Sequence, residues 1–80
     1  MLPNEVVRSD DLARFISQLA EQANTANCDW ENDTLPRYLD ALSGCADAVE
    51  QGYVNMEQDM SKMSPWRIFA DLLYAATMYE

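Results

Sequence analysis

The C-terminal segment, residues 64–80, constrains the fold of this chain more than any other part, because it predicts a helix with a well-defined start. Ser64 is a favoured N-cap residue, and Pro65 suits the first helical position, where its missing N–H removes no hydrogen bond. Met63 and Ile68 lie where a hydrophobic staple would fix the entry of the chain. These signals predict a helix over residues 64–79.

This C-terminal helix is predicted to be apolar on most sides. At about 100° per residue, apolar side chains cover well over half of its circumference, at Trp66, Ile68, Phe69, Ala70, Leu72, Leu73, Ala75, Ala76 and Tyr79. Only the strip through Arg67, Asp71 and Met78 is expected to face water. A helix of this kind must be covered by other helices or by a partner. We therefore expect an all-α fold in which the C-terminal helix is the most buried.

A first helix is predicted over residues 9–25. Ser9 can act as its N-cap, and Asp10 and Asp11 fall in the first turn, where the helix dipole favours carboxylates. Asp10 and Arg14 have the spacing of an i,i+4 ion pair. One apolar stripe recurs at helical spacing, at Leu12, Phe15, Ile16, Leu19, Ala20 and Ala23.

A second helix is predicted over residues 34–53, with Thr34 as its cap. Its apolar face is formed by Leu35, Tyr38, Leu39, Leu42, Ala46, Val49 and Tyr53. Gly44 lies in the interior, where glycine costs up to about 1 kcal/mol relative to alanine, so we expect a close helix contact or a bend there. The segment 24–33 and the second half of 52–63 are predicted loops. The chain is thus one domain of 80 residues, a bundle of three or possibly four helices.

The charge balance limits the classes of partner. The chain has 14 acidic and 5 basic residues, a formal charge of −9, which disfavours nucleic acid and anionic membranes and favours basic proteins. Solubility alone is the alternative explanation of this charge. No apolar run approaches the roughly 20 residues that a membrane span needs, and the N-terminal residues lack the pattern of a signal peptide. With two cysteines, Cys28 and Cys45, we expect a cytoplasmic protein with reduced thiols.

Candidates for catalysis or metal binding are few. Histidine, the commonest general base and metal ligand, is absent. Cys45 has no histidine to activate it, and Lys62 lies in a polar loop. Calcium-loop spacing occurs at Asp29, Glu31, Asp33 and Asp40. That match is poor because Thr34 takes the position that requires glycine. We therefore predict no catalytic residues, no metal site and no cofactor.

An acidic ridge is the strongest candidate for a binding surface. Helical spacing aligns Asp33, Asp40, Asp47 and Glu50, and carboxylates seven residues apart lie about 10 Å apart on one face. Such a ridge attracts cationic surfaces, although an ordinary solvated face has the same pattern. Tyrosine is enriched in binding hot spots, and Tyr53 and Tyr74 are the candidate anchors. Tyr74 is the aromatic residue that we most expect to be exposed.

Several short motifs resemble one family of proteins. They are Trp30-Glu31-Asn32, Leu35 with Tyr38-Leu39-Asp40-Ala41, Gly52-Tyr53-Val54-Asn55, Pro65-Trp66, and Ala75-Ala76 with Tyr79-Glu80. The pattern is similar to that of small uncharacterised bacterial proteins forming a domain-of-unknown-function family. In that family a Trp-Glu-Asn turn precedes a Leu-x-x-Tyr-Leu-x-Ala helix, and the last helix ends in Ala-Ala-x-x-Tyr-Glu. A tryptophan expected in the second helix is replaced here by the region of Gly44. The resemblance implies a helical fold and a bacterial cytoplasmic protein, and implies no activity.

These observations lead to a functional hypothesis. The chain is predicted to be a non-enzymatic protein-binding module, most specifically an acidic immunity protein that neutralises a basic bacterial toxin such as a nuclease. The predicted contacts are Asp40, Asp47 and Glu50 for charge, and Tyr53 or Tyr74 as the anchor. The alternative is a structural or regulatory homodimer that buries the excess apolar surface of the C-terminal helix.

Overall fold

The computed structural model describes residues 1–24 and 30–78, and all regular secondary structure in this part of the chain is helical. Four α-helices occur in it: α1 (Ser9–Ala23), α2 (Leu35–Asp47), α3 (Val49–Asn55) and α4 (Pro65–Ala76). Short 3₁₀ turns precede α1 at Pro3–Glu5 and follow α3 at Met60–Lys62. The predicted all-α fold is confirmed, in its four-helix form.

The start of α1 depends on the carboxylate of Asp11. One of its oxygens accepts hydrogen bonds from the backbone N–H groups of Val7 (3.0 Å) and Arg8 (3.1 Å), and the other accepts from Arg14. These hydrogen bonds, from Val7 first, then Arg8 and Arg14, lower the pKa of Asp11. Because Asp11 engages Arg14, the predicted Asp10–Arg14 pair does not form, and Arg8 rather than Ser9 is the N-cap. The predicted end of this helix at residue 25 lies outside the described residues.

The predicted second helix is divided in two at Ala48. Thr34 caps α2 as expected, since its hydroxyl accepts a hydrogen bond from the N–H of Arg37. Ala48 then has φ −101° and ψ 4°, away from helical values, so α2 ends and α3 starts at this residue. The expected interruption therefore falls at Ala48, one turn after Gly44. Beyond it, α3 buries Tyr53.

Helix α3 ends in a Schellman motif with a glutamate in the position usually held by glycine. Gln58 donates its N–H to the carbonyl of Tyr53 (2.9 Å), and Glu57 donates to Val54 (3.0 Å). Glu57 has φ +58°, the left-handed conformation. A side chain with a Cβ pays a conformational cost there that glycine does not pay.

Helix α4 lies between the other elements. Its N-cap is Ser64, as predicted: the hydroxyl accepts from Trp66 N–H (3.3 Å) and donates to the carbonyl of Val7 (2.8 Å). The helix packs against α1, α2 and the first 3₁₀ turn. Its α1 side meets the main core of Val6, Leu12, Phe15, Leu19 and Ala70, with Trp30 and Leu73 at the edge. Its other side faces the buried residues Ala41, Cys45 and Tyr53.

The prediction that α4 is covered on nearly all sides is wrong in part. Trp66, Phe69 and Tyr74 are 42–50% exposed, whereas Arg67 and Asp71, expected to be solvated, are partly buried against α3. Met78 is exposed as predicted. The physical reason is that α1, α2, α3 and the first 3₁₀ turn together cover only part of the circumference of α4, so some of its apolar side chains stay open to solvent.

The last carbonyl groups of α4 are satisfied from outside the helix. The hydroxyl of Tyr38 donates to the carbonyl of Leu73 (2.8 Å), and Asn32 donates from its side chain to Ala76 (2.9 Å) and from its backbone to Thr77 (3.2 Å). The ring of Trp30 stacks on Tyr38 with centroids 5.6 Å apart. Asn32 and Tyr38 therefore cap the C-terminus of α4, where carbonyl groups have no partner within the helix.

Candidate functional site

The predicted acidic residues lie on the outside of α2 and α3. Asp40, Asp47 and Glu50 are all exposed. Within residues 1–24 and 30–78, the ion pairs join Arg14 to Asp11, Arg37 to Asp33, and Arg67 to Asp71. The three exposed carboxylates therefore carry charge that no cation of the described chain offsets.

The predicted ridge is shorter than the sequence suggests. Asp33 precedes α2 and is held by Arg37 at 3.2 Å, so it is not part of an unpaired helical row. Asp40 and Asp47 lie on α2, about 10 Å apart along the axis. Glu50 belongs to α3, beyond the break at Ala48. Asp40 and Asp47 are thus the pair that the helix aligns.

The outer face of α2 also exposes apolar side chains. Leu35 is 70% exposed and Leu39 is 52% exposed, although both belong to the predicted apolar face. The helix instead turns Ala41 and Cys45 into the core. At about 100° per residue, Leu39 lies on the side of α2 that also carries Asp40 and Asp47, opposite Ala41 and Cys45. Leu35, one turn before Leu39, continues the apolar row. We call Leu35, Leu39, Asp40 and Asp47 the α2 outer face.

The two candidate anchors have different environments. Tyr74 is 43% exposed on α4, so its ring is accessible, although Phe69 on the same helix is more exposed at 50%. Tyr53 is only 3% exposed, and its hydroxyl donates a hydrogen bond to Asp71. The prediction that Tyr53 could anchor a partner does not fit this burial.

A groove between α3 and α4 brings together Tyr53, Arg67 and Asp71, which the sequence analysis did not place at one site. It has a volume of about 430 Å³, and Cys45, Gly52, Tyr53, Arg67 and Asp71 are among its lining residues. The Nε of Arg67 lies 3.8 Å from the carboxylate that accepts the Tyr53 hydroxyl. That nitrogen is buried and makes no hydrogen bond within the described part of the chain.

The electrostatics of this groove keep its nucleophile candidates neutral. Burial is the main cause that raises the pKa of Tyr53, and the neighbouring Asp71 carboxylate raises it further. Burial also raises the pKa of the Cys45 thiol, which disfavours the reactive thiolate. The groove can therefore bind a group but offers no activated nucleophile. The sequence feature that could have indicated this groove is the i,i+4 spacing of Arg67 and Asp71 on an otherwise apolar helix.

The described residues contain neither a cluster of metal ligands nor a helix that could span a membrane. No cluster of three or more potential ligands among them could hold a metal ion. Asp29, part of the weak calcium-loop pattern, lies outside the described residues. None of the described helices has the length and apolar character required to cross a bilayer.

Comparison with known proteins identifies a family. The sequence profile of a family of unknown function, DUF7660, matches residues 8–80. The chain belongs to DUF7660. Comparison with curated proteins and with solved structures gave no match. In this member of DUF7660, three residues of the motifs noted above have a structural role, because they cap and cover the end of α4. They are Trp30, Asn32 and Tyr38.

Proposed function

We propose that this domain is a non-enzymatic protein-binding module that contacts a basic protein through the α2 outer face. The observation that carries the proposal is the exposure of Leu35 and Leu39 on the solvent side of α2, where Leu39 adjoins the row of Asp40 and Asp47. Exposed leucines supply apolar contact area, and unpaired carboxylates steer and orient a cationic partner. The formal charge of −9 also favours association with a cationic partner.

In its most specific form, the proposal is that of an acidic immunity protein for a basic bacterial toxin such as a nuclease. A toxin of that kind has a cationic substrate-binding cleft, to which the carboxylates of Asp40, Asp47 and Glu50 are complementary. Tyr74, accessible on α4, remains the candidate aromatic anchor. The small size and acidity of the chain support this form.

The test is calorimetric titration of this protein with the basic protein encoded by a neighbouring gene, at two salt concentrations. We expect Asp40→Lys combined with Asp47→Lys to raise the Kd at least tenfold at low salt and to weaken its salt dependence. Leu39→Ser removes apolar contact and should cost about 1–2 kcal/mol of binding free energy.

The matched control places the same charge change on a different helix. Asp10 and Glu21 are exposed on α1 and form no ion pair within the described chain. Asp10→Lys with Glu21→Lys therefore changes the net charge equally without altering the α2 outer face. If this control weakens binding as much as the α2 pair does, net charge rather than the α2 outer face is responsible.

The exposed aromatic residues of α4 favour a second candidate, a structural or regulatory homodimer. Trp66 and Phe69 are 42% and 50% exposed, and Ile16 of α1 is exposed beside Phe69 at a shallow apolar depression. Pairing of two copies here would bury this area. Light scattering over a concentration series should then show a dimer that Phe69→Ser dissociates, whereas a monomer at all concentrations would contradict this candidate.

A further inference from the structure

The groove between α3 and α4 has the dimensions and composition of a small-molecule site. Its volume of about 430 Å³ falls within the roughly 300–1,000 Å³ typical of such sites. Most of its wall is apolar, with Val49 and Met56 from α3 and Leu72 from α4. Few polar groups interrupt that wall, as is usual for sites that bind small organic molecules. None of the four residues of the α2 outer face lines it, so the groove is a separate feature of the domain.

Gly52 lines the groove and adjoins open space. A Cβ placed on Gly52 would have no atom within 4 Å. The backbone of Gly52 is in an ordinary helical conformation, so the turn geometry does not require glycine here. The absence of a side chain therefore leaves room beside α3 that a ligand can fill.

One end of the groove presents a hydrogen-bond donor without an acceptor. The Arg67 side chain is 32% exposed, and within the described residues its guanidinium donates no hydrogen bond. Its Nε is buried without an acceptor, and Arg67 lines the groove, so the guanidinium still has a donor to offer there. Asp71, at 3.8 Å, offsets its charge while accepting a hydrogen bond from Tyr53. The end of the groove therefore offers donors in nearly neutral surroundings.

We infer that this groove binds an uncharged, apolar small molecule that carries a carbonyl acceptor. The apolar part lies beside Gly52 and against Leu72, and the carbonyl oxygen accepts from the Arg67 guanidinium at the end of the groove. An anion is disfavoured because Asp71 lies beside Arg67 and the chain carries a net charge of −9. A cation is disfavoured because the Asp71 carboxylate is already engaged by Tyr53 and Arg67.

Titration of the ¹⁵N-labelled full chain with benzamide, followed by NMR, tests this inference. We expect saturable shift changes that are largest at the Gly52 amide and the Arg67 Nε–H, with a Kd in the millimolar range typical of so small a ligand. Toluene, which has the ring without the acceptor, and benzoate, which adds a charge, should each bind at least fivefold more weakly. Toluene binding equal to that of benzamide would remove the role of Arg67, and tighter benzoate binding would overturn the assignment to an uncharged ligand.

A series at position 52 localises the binding. Gly52→Leu fills the open space and should weaken benzamide binding at least tenfold, whereas Gly52→Ala adds one atom where there is room and should change it less than threefold. Ser43→Leu introduces the same side chain at an exposed position of α2 that does not line the groove, and should leave binding unchanged. Circular dichroism verifies that each variant is folded, and the wild-type shift map stands independently of them. Unsaturable shifts spread over the surface, or full binding by folded Gly52→Leu, would refute the inference.

Discussion

The hydroxyl of Tyr53 in α3 donates a hydrogen bond to the carboxylate of Asp71 in α4. It is a side-chain link between the helix that follows the break at Ala48 and the central helix. Tyr53 is buried, and the Nε of Arg67 lies 3.8 Å from the same carboxylate oxygen. This hydrogen bond therefore joins α3 to α4 and places the Tyr53 hydroxyl and the Asp71 carboxylate in the wall of the groove.

Tyr53→Phe should destabilise the protein by about 1–3 kcal/mol, because a hydrogen bond to a charged group is lost and Asp71 keeps only the more distant Arg67. Urea unfolding provides the measurement. Tyr74→Phe is the matched control, since Tyr74 is exposed and its hydroxyl makes no hydrogen bond within the described residues, so its effect should stay within about 0.5 kcal/mol. Equal effects of the two variants would contradict the assigned role.

The same link predicts a loss of stability at alkaline pH. The pKa of Tyr53 is raised in the folded protein above the ordinary value of 10.0, mainly by burial and then by Asp71. Its contribution is therefore complete below pH 10 and is lost as the pH rises above that value, because the unfolded chain releases the proton first. Unfolding free energies from pH 8 to 11 should fall more steeply for the wild type than for Tyr53→Phe, by up to about 1.4 kcal/mol per pH unit. Parallel slopes would show that Tyr53 is not the responsible group.

The cap at the end of α4 can be weakened without disturbing the aromatic stack. Tyr38→Phe removes the hydrogen bond to the Leu73 carbonyl but keeps a ring against Trp30. We expect a destabilisation of about 0.5–1.5 kcal/mol, the usual net value for a neutral hydrogen bond. Hydrogen exchange should show the change first at the last turn of α4. A loss confined to α1 would contradict this assignment.

Replacement of Glu57 should stabilise the protein. Glu57→Gly relieves the left-handed conformation at the end of α3 and should add about 1 kcal/mol to the free energy of unfolding. Glu57→Gln separates conformation from charge, because it removes the carboxylate from the helix C-terminus but keeps the Cβ. The glutamine variant should therefore gain only a few tenths of a kcal/mol in urea unfolding. An equal gain in both variants would assign the effect to charge.

Local signals in the sequence identified the helical regions and the starts of α2 and α4. Ser64 with Pro65 and Thr34 act at the predicted positions, since a cap depends on groups within one turn of the chain. Even at this level, competition between neighbours decided details: Asp11 rather than Asp10 engages Arg14, because it also accepts two backbone hydrogen bonds.

The candidate sites were less accessible to sequence reasoning. The exposure of Asp40 and Asp47 followed from their spacing, but the exposure of Leu35 and Leu39 did not, because hydrophobic periodicity does not show which part of an apolar face a neighbour covers. Tyr53 was proposed as an anchor because tyrosine is enriched in binding hot spots, but a place on an apolar face does not show whether a neighbouring helix covers the side chain.

By itself, the sequence determined that this protein is helical, acidic and a member of DUF7660, since these properties reside in periodicity, composition and local motifs. Only the tertiary structure decided which surfaces remain open. The groove beside Gly52, the Tyr53–Asp71 link and the capping of α4 by Asn32 each join residues at least eighteen positions apart or on different helices. Such pairs meet because helices pack to bury area, and the packing angles arise from the whole set of contacts rather than from any one segment.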